Sequence, residues 1–252
     1  MVRRSADVRS GGQQIGATMT TIRTRNPVLL LERLSAQAMI AKAFQSVFGV
    51  EPSAEQFQIL RSPVMRSAFR LVEAPGSTGA RDSLAFFAFL DEGQGESIDH
   101  LKSEYTRLFI GPARLPAPPW ESAYRGEDRL LLQSSTLEIR ELYRSLGVIP
   151  SHYPTVADDH VSLELAFLHH AAQRAQVLLM KDEKAVSPAL AFSISAMVRI
   201  IDGHLLAWMP AFSHDLTNDD PRGYYAVSAR LLLRFLNACS RFLQELGRPE
   251  KG

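Results

Sequence analysis

The chain has 252 residues, of which 46% are hydrophobic and 22% charged, a globular composition rather than a disordered or collagen-like one. Its single cysteine, Cys239, excludes an intrachain disulfide and any cysteine-based zinc or iron–sulfur site. The net charge of +1 is unevenly placed: residues 1–26 hold five arginines against Asp7, net +4, which leaves the rest of the chain at −3. That acidic body carries no clustered Lys/Arg stripe, so nucleic acid is not the expected partner, and a basic peptide suits it better.

Residues 1–26 read as a flexible polar tail, with the true start at Met1 or Met19 left open. Arg3-Arg4 is not followed by an apolar stretch of about 7–15 residues, so neither a secretory nor a twin-arginine export signal is read there. No run reaches the roughly 18 apolar residues that span a bilayer, and the longest, 205–212, contains Pro210. The expectation is a cytoplasmic protein with no stable membrane insertion.

Residues 27–252 read as one all-α domain, since apolar residues recur at spacings of three and four and no alternating run of strand length occurs. Asn26-Pro27 supplies a cap and a first-turn proline for a helix running to Gly49. Ser53 and Gln56 form a capping pattern for a shorter helix. Residues 84–90 and 98–109 give two more helices. Ser135 and Glu138 form a second capping pattern, ahead of an apolar stripe of Ile139, Leu142, Tyr143 and Leu146 that Gly147 ends. Asp158 or Asp159 then caps a long helix toward Met180. Ser187-Pro188 starts another, ending around Ala207 or a little later, and Asp220-Pro221 starts the last, whose apolar face includes Cys239. Two long irregular stretches remain, 111–134 and 148–157, and long loops in a helical domain are where function is sought. Residues 148–160 are also the candidate for a hinge.

In the first stretch, Pro112, Pro116, Pro118 and Pro119 stiffen the chain around Trp120 and Tyr124, with Tyr105, Leu108 and Phe109 leading in. Aromatic side chains on a stiff loop offer an apolar surface to a peptide, or else anchor the loop on the core. The second stretch ends in Asp158-Asp159-His160, with Glu164 one turn on and His169-His170 beyond. A metal site, an acid–base pair, a carboxylate receptor for arginine and a simple helix cap are all compatible with that pattern. The spacing matches no established metal-ligand motif. No nucleophile elbow, phosphate loop or dinucleotide fingerprint occurs, so no catalytic residue, cofactor or metal is assigned.

The run Glu104-Tyr105-Thr106-Arg107-Leu108-Phe109-Ile110-Gly111-Pro112, followed by Pro116-Ala117-Pro118-Pro119-Trp120-Glu121-Ser122-Ala123-Tyr124, resembles the signature of the TorD/DmsD family of redox-enzyme maturation chaperones. So do Asp158-Asp159-His160 and the late His204-Leu205-Leu206-Ala207-Trp208-Met209-Pro210-Ala211-Phe212 element. The resemblance covers residues 28–247; the polar tail of 1–18 has no counterpart in it. It implies an all-α, non-enzymatic chaperone that binds the twin-arginine leader of a molybdenum-cofactor oxidoreductase subunit until the cofactor is inserted. It also implies leader contacts at Tyr105, Leu108, Phe109, Pro119, Trp120, Asp159 and His160. Tyr124 and Glu164 join that set because a leader offers guanidinium groups beside an apolar run. The alternative is a helical metal-dependent hydrolase using His160, Glu164 and His169. Monomer and homodimer both stay open.

Overall fold

The structure, a computed structural model, describes residues 2–4, 26–73, 79–92, 97–125, 134–150, 157–181 and 187–246. The helices are α1 (Pro27–Gly49), α2 (Ala54–Arg61), α3 (Pro63–Val72), α4 (Gly79–Glu92), α5 (Ile98–Tyr105), α6 (Ser122–Arg125), α7 (Ser134–Ser145), α8 (Val161–Lys181), α9 (Pro188–Val198), α10 (Leu206–Asp219) and α11 (Tyr224–Leu246). Two three-residue strands, β1 (Val2–Arg4) and β2 (Val148–Pro150), pair antiparallel. The all-α reading therefore holds for the body of the chain. Residues 5–25, the rest of the proposed tail, and 151–156 of the proposed hinge lie outside the described residues.

The caps follow the sequence closely. Asn26 Oδ1 accepts from the Leu29 N–H at 3.0 Å with Pro27 in the first turn, and Ser53 Oγ accepts from Gln56 N–H at 3.2 Å. Ser62, Ser97 and Ser187 cap α3, α5 and α9 in the same way, satisfying amides that a helix start leaves open. Two expected caps are displaced. The helix α7 already begins at Ser134, so Ser135 lies inside its first turn and is buried. Nor do Asp158 and Asp159 cap α8: the His160 ring does, its Nδ1 accepting from the Ser162 N–H at 3.1 Å.

The helix starting at Pro188 does not end near Ala207. It continues through a wide π turn, Arg199–Leu205, into α10, giving one rod from 188 to 219. This rod is long and apolar enough, by length and composition, to cross a membrane, which corrects the expectation that no segment is. In the fold it is a central helix, lined by buried Ile194, Met197, Ile201, Leu205, Trp208, Met209 and Phe212. A second π turn, Thr106–Ile110, replaces the expected end of the helix begun at Ile98. It closes with Gly111 N–H on the Thr106 carbonyl at 2.9 Å, and Gly111 stands at φ 86°, a conformation that favours glycine. Pro112 then prevents any return to helix.

The long helices α1 and α8 pack side by side, with α9, α10 and α11 against them. The approach is close where α1 ends: a Cβ on Gly49 would come within 2.7 Å of Ser162 Cβ. Aromatic rings fill the centre, with Phe48 meeting Phe44, Phe109 and Phe212 at centroid distances of 6.4, 6.1 and 5.6 Å. Phe48→Ala is expected to cost about 3–5 kcal/mol in urea unfolding, through lost contacts and the cavity left behind. Phe192→Ala on α9, 41% exposed, is expected to cost less than about 1 kcal/mol.

Candidate functional site

The two irregular stretches meet. Trp120 and His160 face each other as an isolated antiparallel bridge. On one side the Val161 N–H donates to the Pro119 carbonyl at 2.9 Å, and on the other the Glu121 N–H donates to the Asp159 carbonyl at 3.0 Å. The Trp120 and His160 rings then sit edge to face, 5.4 Å between centroids. Both side chains are half-buried, so one edge of the pair reaches the surface. Proline supplies the geometry: Pro118 and Pro119 hold the approach extended and offer a carbonyl with no competing N–H.

Beneath the bridge lies a polar core. Glu121, Asp158, Asp159 and Glu164 are each 0% exposed. Asp159 Oδ2 accepts from the Ser122 N–H at 2.8 Å, at the start of the short helix α6. Glu121 is gripped from two sides, by Arg125 Nη1 at 2.6 Å and by His204 Nδ1 at 2.9 Å. Arg125 also donates to the Gly203 carbonyl at 3.2 Å, so α6 is tied to the π turn before α10. Asp158 pairs with Arg140 from α7, and its carbonyl accepts from the Tyr143 hydroxyl at 2.8 Å. Trp208 Nε1 reaches Glu164 Oε2 at a long 3.4 Å.

Burial pushes the Glu164 carboxyl well above the usual range, and the neighbouring carboxylates of Glu121 and Asp159 push it the same way. Burial also pushes the His160 imidazole down to about 4, so that ring is neutral at pH 7 and its Nδ1 is free to accept from the helix.

The nine residues singled out in the sequence divide. Pro119, Trp120, Asp159 and His160 come together at the bridge. Tyr124 stacks on Trp208 at 5.5 Å, and Trp208 touches Glu164, which places both one layer below. Tyr105, Leu108 and Phe109 are buried in the core, where Phe109 meets Phe212 at 6.2 Å and Tyr225 at 5.1 Å. They are linked to the layer below the bridge through Phe212 and Tyr124, whose rings are 6.2 Å apart. Asp159 and Glu164 thus do not form an open acidic patch. A structured loop over them leaves their charge to the protein's own donors.

The trio of the alternative hydrolase does not converge. His169 turns to the α1 side, 2.8 Å from the Ala38 carbonyl, whereas His160 bonds Ser162 and Glu164 bonds Trp208. Among the described residues no group of three His, Cys, Asp or Glu is placed to hold a metal. Cys239 is fully buried, and burial raises its thiol well above the usual value, which fits a core residue. Glu121, Arg125 and His204 escaped the sequence reading as site residues. Glu121 stands within the quoted Pro-Trp-Glu-Ser run, but nothing local connects it to His204, 83 positions away.

The family model described as nitrate reductase delta subunit matches residues 75–214, more than half of the chain. The chain belongs to that family. Its curated relatives include the chaperone protein TorD of Vibrio cholerae, 32% identical over 146 residues, which cover 58% of this chain and 63% of the relative. The protein of Haemophilus influenzae named for Tat proofreading chaperone DmsD is 24% identical over 149 residues, covering 59% of this chain and 63% of its own. The match thus spans under two thirds of these relatives' length. A solved chain from Archaeoglobus fulgidus covers 86% of this chain and 99% of its own, at 20% identity and a TM-score of 0.40. The resemblance to the TorD/DmsD family drawn from residues 104–124, 158–160 and 204–212 is borne out by the family match.

Stability against pH tests the buried acid. An unfolded glutamate near 4.5 loses its proton long before folded Glu164 does. The stabilisation from its bound proton is therefore full below about pH 4.5 and declines as pH rises toward the raised folded value. Glu164→Gln, which keeps the shape and does not titrate, is expected to gain on the parent as pH rises above about 4.5 in urea unfolding. His160 has the opposite sign: its contribution is full above 6.5 and is lost as pH falls toward about 4. The Glu164→Gln protein should therefore gain stability from pH 4 to 6.5 and then level off.

Proposed function

We propose that this chain is a cytoplasmic maturation chaperone, a binding protein and not an enzyme. It would hold the twin-arginine leader of a molybdenum-cofactor oxidoreductase subunit until the cofactor is inserted. Two observations on relatives support the reading: one is named a TorD chaperone, another a Tat proofreading chaperone. The observation that carries it here is the bridge, which brings the proline-stiffened Trp120 and the Asp159–His160 pair to one place. The nine residues remain the proposed site, in divided roles. Trp120 and His160 form the half-buried face that reaches the surface. Asp159 positions that face by holding the Ser122 N–H. Tyr105, Leu108 and Phe109 support it from below.

The polar half must then work by exchange. Glu121 and Asp158 are sealed by Arg125 and Arg140, whose side chains are 39% and 25% exposed. A leader guanidinium reaches either acid by taking the place of one of these arginines, which supplies a matching fork geometry and restores the buried charge pair.

Trp120→Ala is expected to leave the circular dichroism spectrum unchanged. It should weaken binding of a synthetic Arg-Arg leader by about 1–3 kcal/mol in calorimetric titration, the size of an interface hot spot. Unchanged affinity with a lowered melting temperature would return Trp120 to a purely structural role.

A further inference from the structure

One strand pair is set against the helices, with Val148 in the hydrophobic core. β1 lies antiparallel on β2, with Val2 opposite Pro150, Arg3 opposite Ile149 and Arg4 opposite Val148. β2 begins directly after Gly147, whose φ of 69° ends α7, so the chain is forced out of helix into extended backbone there. Val148 and Pro150 are buried and Ile149 is 40% exposed. β2 also opens the second irregular stretch, the one that ends in Asp158-Asp159-His160. An extended edge of this kind accepts an extended peptide through main-chain hydrogen bonds and tolerates many sequences.

What occupies the edge has a telling composition. The segment Val2-Arg3-Arg4 belongs to the tail of net charge +4, and it lies on a body of net charge −3. Its adjacent arginines are the chemistry proposed above for the client leader. We propose that the β2 edge is a peptide-docking strand and that the chain's own segment Val2–Arg4 is its resident occupant, competing with an arginine-bearing leader for the same backbone edge. The proposal rests on the leader-binding reading for the identity of the competitor, and on the strand pairing alone for the self-docking. A tethered occupant acts at the high effective concentration set by its linker, so even a weak strand contact masks the edge from a dilute peptide. Leader binding is then weakened by the fraction of molecules whose edge is filled.

The test uses the full-length chain. Arg3→Pro removes a backbone donor and fixes φ in the middle of β1, which a three-residue strand does not survive. Arg9→Pro, in the same tail but outside the pair, is the control. Amide exchange at Ile149, whose N–H faces β1 opposite Arg3, reads the edge, and titration with a synthetic peptide carrying Arg-Arg ahead of an apolar run reads the competition. The expected result is exchange at least about tenfold faster in Arg3→Pro than in the parent or the control, with leader affinity raised about three- to tenfold. Equal exchange in all three proteins would overturn self-docking. Faster exchange with unchanged leader affinity would overturn competition at this edge. If the leader binds none of the three, the function reading fails. Self-docking is then judged separately: a synthetic peptide of residues 1–10 added to Arg3→Pro upholds it by restoring protection at Ile149, and overturns it by failing to.

Discussion

Two main-chain hydrogen bonds, from Val161 N–H to the Pro119 carbonyl and from Glu121 N–H to the Asp159 carbonyl, decide the state of everything beneath them. They close two long stretches of chain over four acidic side chains that have no exposed surface. Taking a carboxylate out of water costs several kcal/mol, about as much as a well-placed partner returns. The acids are tolerable there only while their donors stay fixed, and the bridge fixes them. It delivers the Ser122 N–H to Asp159 and starts the short helix that carries Arg125 back onto Glu121. Removing one partner of such a pair leaves a buried charge without compensation, a loss of about 3–5 kcal/mol. A core built this way contributes little net stability. What it contributes is one defined arrangement of the loops.

That arrangement is coupled to the rest of the molecule through aromatic contacts. Tyr105, Phe109, Phe212, Tyr124 and Trp208 touch in sequence, and Trp208 ends on Glu164. The residues that sequence motifs mark as functional are in large part this supporting column. Only Trp120 and His160 stand at its outer end. A family signature therefore records the parts needed to hold a surface in place as well as the surface itself.

The helices and most of their caps were legible because the signals are local: Asn26-Pro27, Ser53 to Gln56 and Ser187-Pro188 each define a start within four residues. The failures have a common physical cause. Asp158 and Asp159 look like caps, yet their side chains are claimed by Arg140 and Ser122, distant in sequence, and the cap falls to the His160 ring. The break expected near Ala207 does not occur, because a π turn just before α10 carries the helix on past Pro210. Of the site, the Trp120 loop and the Asp-Asp-His ending were visible as motifs. That they meet, and that Glu121 with His204 lies between them, depends on backbone pairing across 40 residues and a side-chain contact across 83. No periodicity carries that information.

The wide turn at Thr106–Ile110 has a consequence for reading relatives of this chain. A π turn amounts to one extra residue absorbed into a helix without ending it. Deleting that residue would rotate everything on one side of it by about 100°, since an α-helix makes a full turn in 3.6 residues. Leu108 and Phe109 would then leave the face they share with Phe48 and Phe212. Equivalence between two homologues across this stretch is thus set by where a single-residue gap is placed. Two chains with the same letters in the motif, but a different gap, would present different side chains to the core.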